Sequence, residues 1–159
     1  MGGGSIVVPC LLALLIGIVA GLRAMTAPAA IAWAARLGKL GLSGTWLAFL
    51  GYTWTPWILT LLAAGELVTD QLPSTPSRKV PIQFGTRILM GGVCGAALTA
   101  GAGSMLLGAL VGAAGAVAGT LGGHAVRARL AAAFGRDLPA ALVEDAIAIG
   151  AAFAIVLAS

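Results

Sequence analysis

Long apolar stretches, separated by glycine, proline and a few charged residues, make up nearly all of the chain. Several of them approach the roughly 20 residues that a helix needs to cross a bilayer. The pattern predicts an all-α protein, a polytopic transmembrane helix bundle of five spans, or six if one short segment also crosses. A single integral membrane domain is expected over residues 1–159. The five spans are predicted over residues 6–22, 56–72, 82–102, 105–124 and 138–158.

The first apolar run, residues 6–37, is too long for one span and contains Arg23 and Pro28. Because proline lacks the N–H donor and disfavours helix at the residue before it, the first helix is predicted to break from Arg23 to Pro28. The remainder, up to Leu37, is expected to form a short amphipathic or re-entrant helix. Residues 38–57 are rich in tryptophan, which favours the headgroup level, so this segment is expected to lie along the interface.

The composition excludes an ordinary soluble domain. Hydrophobic residues make up 60% of the 159 positions and charged residues only 9%, whereas about a quarter of a soluble domain is charged. The net charge of +4 does not indicate nucleic-acid binding, because the basic residues lie at the ends of apolar runs rather than in one patch. The expected partners are therefore the lipid bilayer and a small ion or solute, with no nucleic acid.

The basic residues also predict an orientation. With five spans most of them fall on one side, which the positive-inside rule makes cytoplasmic. The N-terminus is then cytoplasmic, in a bacterial inner membrane, and a sixth span would change only the N-terminal assignment. The basic residues on the cytoplasmic side are Arg78, Lys79, Arg87, Arg127, Arg129 and Arg136.

Glycines recur every three or four residues from Gly108 to Gly123. Small residues at this spacing allow membrane helices to approach closely, so the span over residues 105–124 is predicted to be the most tightly packed. A homo-oligomer is also expected. Residues 18–37 and 116–135 share a weak similarity and would cross in opposite directions. They predict an inverted repeat whose second copy is interrupted at residues 122–124.

A few ionisable residues lie inside or beside the predicted spans, where each needs a partner, water or a function. Their similar depth would allow four carboxylates to meet, and such a cluster suits a proton relay or a hard-cation site. The alternative is a structural network of carboxylates paired with basic side chains. An arginine at the helix break can bind an anionic group or cap freed carbonyls. The primary candidates are Arg23, Glu66, Asp70, Arg87, Glu144 and Asp145; the secondary candidates are Thr26, Pro28 and His124, and a metal ligand set is left open.

No catalytic motif is found in the sequence. HExxH, GxSxG and a phosphate-binding glycine loop followed by Lys are all absent. Neither an enzyme nor a cofactor is therefore expected. Cys10 and Cys94 lie in apolar stretches without CxxC spacing, which is typical of buried, inert thiols.

Three charged segments resemble a known family. They are GLRAMTAP at 21–28, GELVTDQLPSTPSR at 65–78 followed by Arg87, and LPAALVEDAIAIGAAF at 138–153. Together they resemble small bacterial integral membrane proteins that are catalogued only as a domain of unknown function. The resemblance covers nearly the whole chain, although the central loop is shorter and more basic than the family's form. It supports the same six charged candidates without implying a substrate.

The function predicted from the sequence is that of a small transporter or channel for an ion or small solute. Its transport would be coupled to protons or cations through the intramembrane carboxylates. The alternative is a non-transporting assembly or lipid-interacting membrane protein whose buried charges are purely structural.

Overall fold

Six α-helices account for most of the described protein, which comprises residues 5–72 and 80–159 of a computed structural model. In chain order they are α1 Val7–Leu22, α2 Thr26–Arg36, α3 Thr55–Thr69, α4 Pro81–Thr99, α5 Met105–Phe134 and α6 Asp137–Ala158, with 3-10 turns at Ala48–Gly51 and Ala100–Ala102. No strand occurs within these described ranges, which confirms the all-α prediction. The helices α5 and α6 are long and apolar enough to cross a bilayer, whereas α1 and α3 are apolar but shorter.

Three helices, α1, α4 and α5, form the centre of the bundle and meet at glycines. A Cβ atom on Gly91 of α4 would lie 2.6 Å from the carbonyl oxygen of Gly112 in α5, and a Cβ atom on Gly17 of α1 would overlap that same carbonyl. Two helices thus approach one glycine of α5 from different sides. This packing confirms that α5 is the most closely packed helix.

The glycine contacts also define the helix directions. Later residues of α1 contact later residues of α5, so these two helices run parallel. Later residues of α4 contact earlier residues of α5, so α4 runs antiparallel to α5. The contacting positions are Leu14 with Gly115 and Ile18 with Gly119 between α1 and α5, and Gly91 with Gly112 and Gly95 with Gly108 between α4 and α5. A left-handed turn at Gly135, with φ of 68°, reverses the chain from α5 into α6.

The chain also reverses between α1 and α2. Arg23, which follows α1, pairs with Asp145 of α6. Farther along α6, residues between 149 and 157 line one cavity together with Thr26, the first residue of α2, and Lys39, which follows the end of α2. Since α6 runs antiparallel to α1, α2 must run back towards the start of α1. The interrupted first segment is therefore a helical hairpin.

The helix α3 runs antiparallel to α2. Met25, just before α2, contacts Glu66 near the end of α3, and Trp33 contacts Thr60 one to two turns earlier in α3. Residues 37–54 connect the two helices at the end of the bundle opposite the α1–α2 turn. We call this the aromatic end, because the segment and the start of α3 expose Trp46, Tyr52, Trp54 and Trp57. The other end is the charged end.

The predicted helix break is longer than the observed one. Only Arg23, Ala24 and Met25 separate the two helices, and Pro28 is the third residue of α2. The first four N–H groups of a helix have no partner within the helix, so proline is tolerated there. The helix therefore starts before the proline rather than after it.

The predicted inverted repeat is wrong. Residues 18–37 form a helix, a turn and a second helix, whereas 116–134 belong to the uninterrupted α5, so no break occurs at residues 122–124. His124 consequently lies inside a helix and not at its end. Glycines alone weaken a helix by about 1 kcal/mol each, but this segment lacks the proline that removes a donor. The first parts of the two copies also run parallel, not inverted.

The predicted proline-rich turn over residues 73–81 falls mostly on residues 73–79, which lie outside the described residues. Arg78 and Lys79 belong to this part. The structure describes a single chain, so the homo-oligomer stays a prediction.

We expect Gly112→Ala to lower the free energy of unfolding by about 1–3 kcal/mol, because the added methyl group overpacks the contact with Gly91 and Gly95 of α4. The matched control is Gly122→Ala in the same helix, where a Cβ atom meets no atom within 4 Å. This control should be neutral or stabilising by up to about 1 kcal/mol through helix propensity. Thermal unfolding in detergent measures both. Equal effects of the two variants would contradict the packing described above.

Candidate functional site

The site is built on the three-residue turn between α1 and α2. Arg23 has extended backbone angles, φ −140° and ψ 111°, and Ala24 and Met25 complete the reversal. Such a turn leaves the last carbonyls of α1 and the N–H groups at the start of α2 without partners in their own helices. Because the turn is enclosed by other helices, these groups need partners from elsewhere in the chain.

Side chains from α3 and α4 supply these partners. Glu66 accepts hydrogen bonds from the N–H groups of Ala24 and Met25, each 2.8 Å long. Arg87 donates to the carbonyl oxygens of Gly21 and Leu22, at 2.9 and 2.8 Å. A carboxylate thus lies at the positive end of α2, and a guanidinium lies at the negative end of α1, as the helix dipoles favour.

The two capping residues also contact each other, with Arg87 Nη2 at 3.4 Å from Glu66 Oε1. Thr120 of α5 adds a third contact at the end of α1, because its hydroxyl lies 3.2 Å from the Gly21 carbonyl and 2.8 Å from that of Ala116. The sequence left two roles open for Arg23, binding an anionic group or capping the freed carbonyls. The structure gives the capping role to Arg87 and Thr120.

Arg23 itself is fully buried and points at two carboxylates. Its Nη1 donates to Asp70 at the end of α3, and its Nη2 donates to Asp145 of α6. The other oxygen of Asp145 accepts a hydrogen bond of 3.1 Å from Gln71. One guanidinium therefore links the α1–α2 turn to both α3 and α6.

The ion pairs of this cluster join three carboxylates, Glu66, Asp70 and Asp145, to two arginines, Arg23 and Arg87. Arg127 of α5 also interacts electrostatically with Asp145. The side chains of the three carboxylates are 12–14% exposed, whereas the Arg23 side chain is 0% exposed. The carboxylates thus lie nearer the surface of the chain than the guanidinium that joins two of them.

Five of the six primary candidates meet in this cluster, and Glu144 does not. Its Oε2 lies 3.5 Å from Nη1 of Arg127 in α5, and Arg127 also binds Asp137. Adjacent residues on a helix point about 100° apart, so Glu144 and Asp145 face different neighbours. The prediction that all four carboxylates meet is therefore wrong for Glu144.

The secondary candidates occupy different positions around the turn. Thr26, the first residue of α2, is 8% exposed, and its hydroxyl has no hydrogen-bond partner within the described ranges. Pro28 is buried one turn into α2. His124 lies one turn beyond Thr120 on α5 and takes no part in the contacts described above.

Three residues that contact the candidate residues were missed by sequence reasoning. Gln71, which binds Asp145, and Thr120, which binds the Gly21 carbonyl, are uncharged, and Arg127, which binds Glu144, was assigned to a loop. The sequence offered one signal, because Thr120 continues a series of small residues spaced four apart, Gly108, Gly112 and Ala116. No three His, Cys, Asp or Glu side chains in the described part of the chain are placed to hold a metal ion.

Comparison of the chain with protein-family models, with curated proteins and with solved structures gives no match. The structure shows an all-α protein with a buried ion-pair network around the turn of the α1–α2 hairpin. The resemblance to the family of unknown function stays a prediction.

We expect Arg23→Met to lower the free energy of unfolding by about 3–5 kcal/mol, because Asp70 and Asp145 would lose the cation that both of them contact. Arg36→Met is the control, since Arg36 is exposed on α2. Thermal unfolding in detergent measures both. Equal, small effects of the two variants would show that the network contributes little to stability.

Proposed function

We propose that this chain is a small integral membrane protein that moves protons, or a cation in their place, through the buried charges at the α1–α2 turn. The observation that carries the proposal is the buried cluster itself, in which Asp70 and Asp145 share the Arg23 guanidinium and Arg87 lies beside Glu66. Ionisable side chains inside a membrane are costly to place there, and they commonly mark the pathways of protons and ions.

The exposed surface supports a location in the membrane. Large apolar side chains are exposed on every helix but α2, among them Leu61 of α3, Leu106 of α5 and Leu157 of α6, each more than 70% exposed. So much exposed apolar surface is suited to contact with lipid. Both α5 and α6 have the length and composition of spanning helices. The shorter α1 and α2 would then form a hairpin that enters from one side.

The helix directions favour a revised orientation. With six helices alternating in direction, Val7 lies at the aromatic end together with the α4–α5 connection. Arg127, Arg129 and Arg136 lie at the charged end, which the positive-inside rule makes cytoplasmic. The start of α1 is then on the opposite side, which is the assignment expected for a sixth span.

The depth of the cluster supports a role in transport. Arg87 lies six residues after the start of α4 and twelve before its end, which corresponds to about 9 Å and 18 Å at 1.5 Å per residue. Arg87 is therefore more than one helical turn away from either end of α4. Discontinuous helices whose ends meet polar groups inside the bilayer are common at the binding sites of secondary transporters.

The shared guanidinium offers a way for a proton to change the structure. Asp70 and Asp145 both bind Arg23, and each comes from a different helix. Protonation of one carboxylate weakens its ion pair while the other pair remains. The proton would thereby loosen either α3 or α6 from the α1–α2 turn, and its release would restore the contact. Such a step couples charge movement to helix movement.

A specific observation also favours the structural alternative. Each carboxylate of the cluster contacts an arginine, and Glu66 receives two backbone N–H groups as well. Such complete pairing is sufficient to hold α1, α2, α3, α4 and α6 together. A non-transporting membrane protein with the same network would show no flux, and the experiment below separates the two functions.

In proteoliposomes with an imposed pH gradient and a membrane potential, we expect proton flux from the unaltered protein. Asp145→Asn should reduce the flux to the level of protein-free liposomes, because it removes one of the two carboxylates that share Arg23. A pH-sensitive dye inside the vesicles measures the rate. Asp137→Asn is the acidic control, since the Asp137 side chain is 62% exposed and binds Arg127 at the start of α6.

Folding of each variant is verified by its elution and thermal unfolding in detergent. If Asp145→Asn does not fold, Asp70→Asn tests the same pair from α3. Proton flux that is equal in all variants contradicts the proposal, as does the absence of flux from the folded, unaltered protein. Flux of sodium or potassium that depends on Asp145 would assign the site to a cation instead of a proton.

A further inference from the structure

A cavity of about 500 Å³ lies between α2, α3 and α6, within the usual size range of small-ligand pockets. Alanines from all three helices form its walls, and larger apolar side chains surround them. Because these side chains are small, they leave an apolar slot between the three helices. The alanines are Ala29, Ala30, Ala63, Ala64 and Ala152.

Two of the polar side chains beside the cavity bind each other. Trp33 Nε1 donates to the Thr60 hydroxyl at 2.9 Å, and that hydroxyl lies 2.7 Å from the Pro56 carbonyl. Apart from Thr26 and Lys39, the remaining lining side chains are apolar. An apolar chain is suited to such a surface, whereas a hydrated ion or a sugar is not.

The lining residues on and beside α2 indicate the length of the cavity and the charge at one end of it. Thr26 lies at one end of the lining, and Leu37 and the exposed Lys39 lie at the other. The intervening α2 has 11 residues, or about 16 Å at 1.5 Å per residue. This length is close to half of the roughly 30 Å hydrocarbon core, which is the depth of one leaflet.

Lys39 also lies at the aromatic end, where Trp46 and Trp54 are exposed. Tryptophan is enriched at the headgroup level of bilayers, so the ammonium group of Lys39 is at the level of lipid phosphates. A positive charge at the headgroup level and an apolar slot one leaflet deep together match one molecule, a phospholipid with an anionic headgroup.

We propose that this cavity binds one acyl chain of an anionic phospholipid from the leaflet at the aromatic end, with its headgroup held by Lys39. The inference relies on the proposed membrane location but not on transport. The bound chain fills the gap between α2, α3 and α6. The lipid is thereby a structural component of the bundle.

The test uses quenching of Trp33 by brominated phospholipids, in a variant that carries Trp46→Phe, Trp54→Phe and Trp57→Phe. Trp33 lines the cavity, and phenylalanine at position 57 retains an aromatic ring beside it. A small fraction of brominated phosphatidylglycerol or phosphatidylcholine is mixed into unbrominated phosphatidylcholine bilayers. We expect phosphatidylglycerol to occupy the site about fivefold more strongly, as one Lys near an anionic headgroup allows.

Two variants relate the preference to this cavity. Lys39→Gln should reduce the preference to unity, whereas Arg36→Gln, which changes an exposed residue outside the cavity lining, should retain it. Ala64→Phe fills the slot and should diminish quenching by both lipids. Equal quenching by the two lipids with Lys39 in place overturns the proposal, as does quenching that is unaffected by Ala64→Phe. Stronger quenching by brominated free fatty acid also overturns it.

A second measurement uses the protein with all tryptophans in place, in case the triple variant does not fold. Delipidated protein in detergent is heated with added phosphatidylglycerol or phosphatidylcholine. We expect a higher unfolding temperature with phosphatidylglycerol, because a ligand bound to the folded state stabilises it, and we expect Lys39→Gln to remove the difference. Equal stabilisation by both lipids counts against the anionic headgroup. Release of the protein from membranes by a carbonate wash would instead contradict the membrane location itself.

Discussion

Burial of the Arg23 guanidinium is the constraint on which the rest of the structure depends. A fully desolvated cation needs nearby negative charge, and the chain supplies it from Asp70 on α3 and Asp145 on α6. The same turn exposes two helix ends, which Glu66 and Arg87 complete. The three-residue reversal between α1 and α2 therefore contacts three other helices, α3, α4 and α6, and Thr120 connects a fourth, α5, through the Gly21 carbonyl.

The central glycines make this arrangement possible. Carbonyl contacts such as those of Arg87 with Gly21 require the backbones of α1 and α4 to lie close together. Gly17 and Gly91 allow both helices to approach Gly112 of α5 without side chains between them. Rigid packing at the centre thus complements the ion pairs at one end. The pairs of α3 and α6 lie at the edge of this centre, where the helices make fewer contacts with it.

The sequence was informative wherever a residue was costly to bury. Arg23, Glu66, Asp70, Arg87 and Asp145 were all identified from their charge within apolar runs, and the close packing of α5 followed from its glycines. The direction of α2 was left open, because the hydropathy of a short segment does not show whether its helix continues in the direction of the preceding helix or turns back. Glu144 was misassigned because adjacent positions on a helix diverge by about 100°, which similar depth does not reveal. The backbone N–H groups that bind Glu66 become free only once the turn has formed.

The ion-pair network and the apolar cavity act on the same helix in opposite ways. Asp70 and Glu66 hold the charged end of α3 directly against the α1–α2 turn, whereas nearer the aromatic end the cavity separates α3 from α6. The Trp33–Thr60 hydrogen bond and the edge-on contact of Trp33 with Trp57 retain α3 against α2 there. Loss of the Arg23–Asp70 pair would therefore leave the charged end of α3 held by Glu66, which binds the turn and Arg87. In the proposed lipid complex, an acyl chain in the cavity would resist movement of α3 towards α6, because that displacement would require the chain to leave. Lipid occupancy and the Arg23–Asp70 pair would then be coupled through the position of one helix.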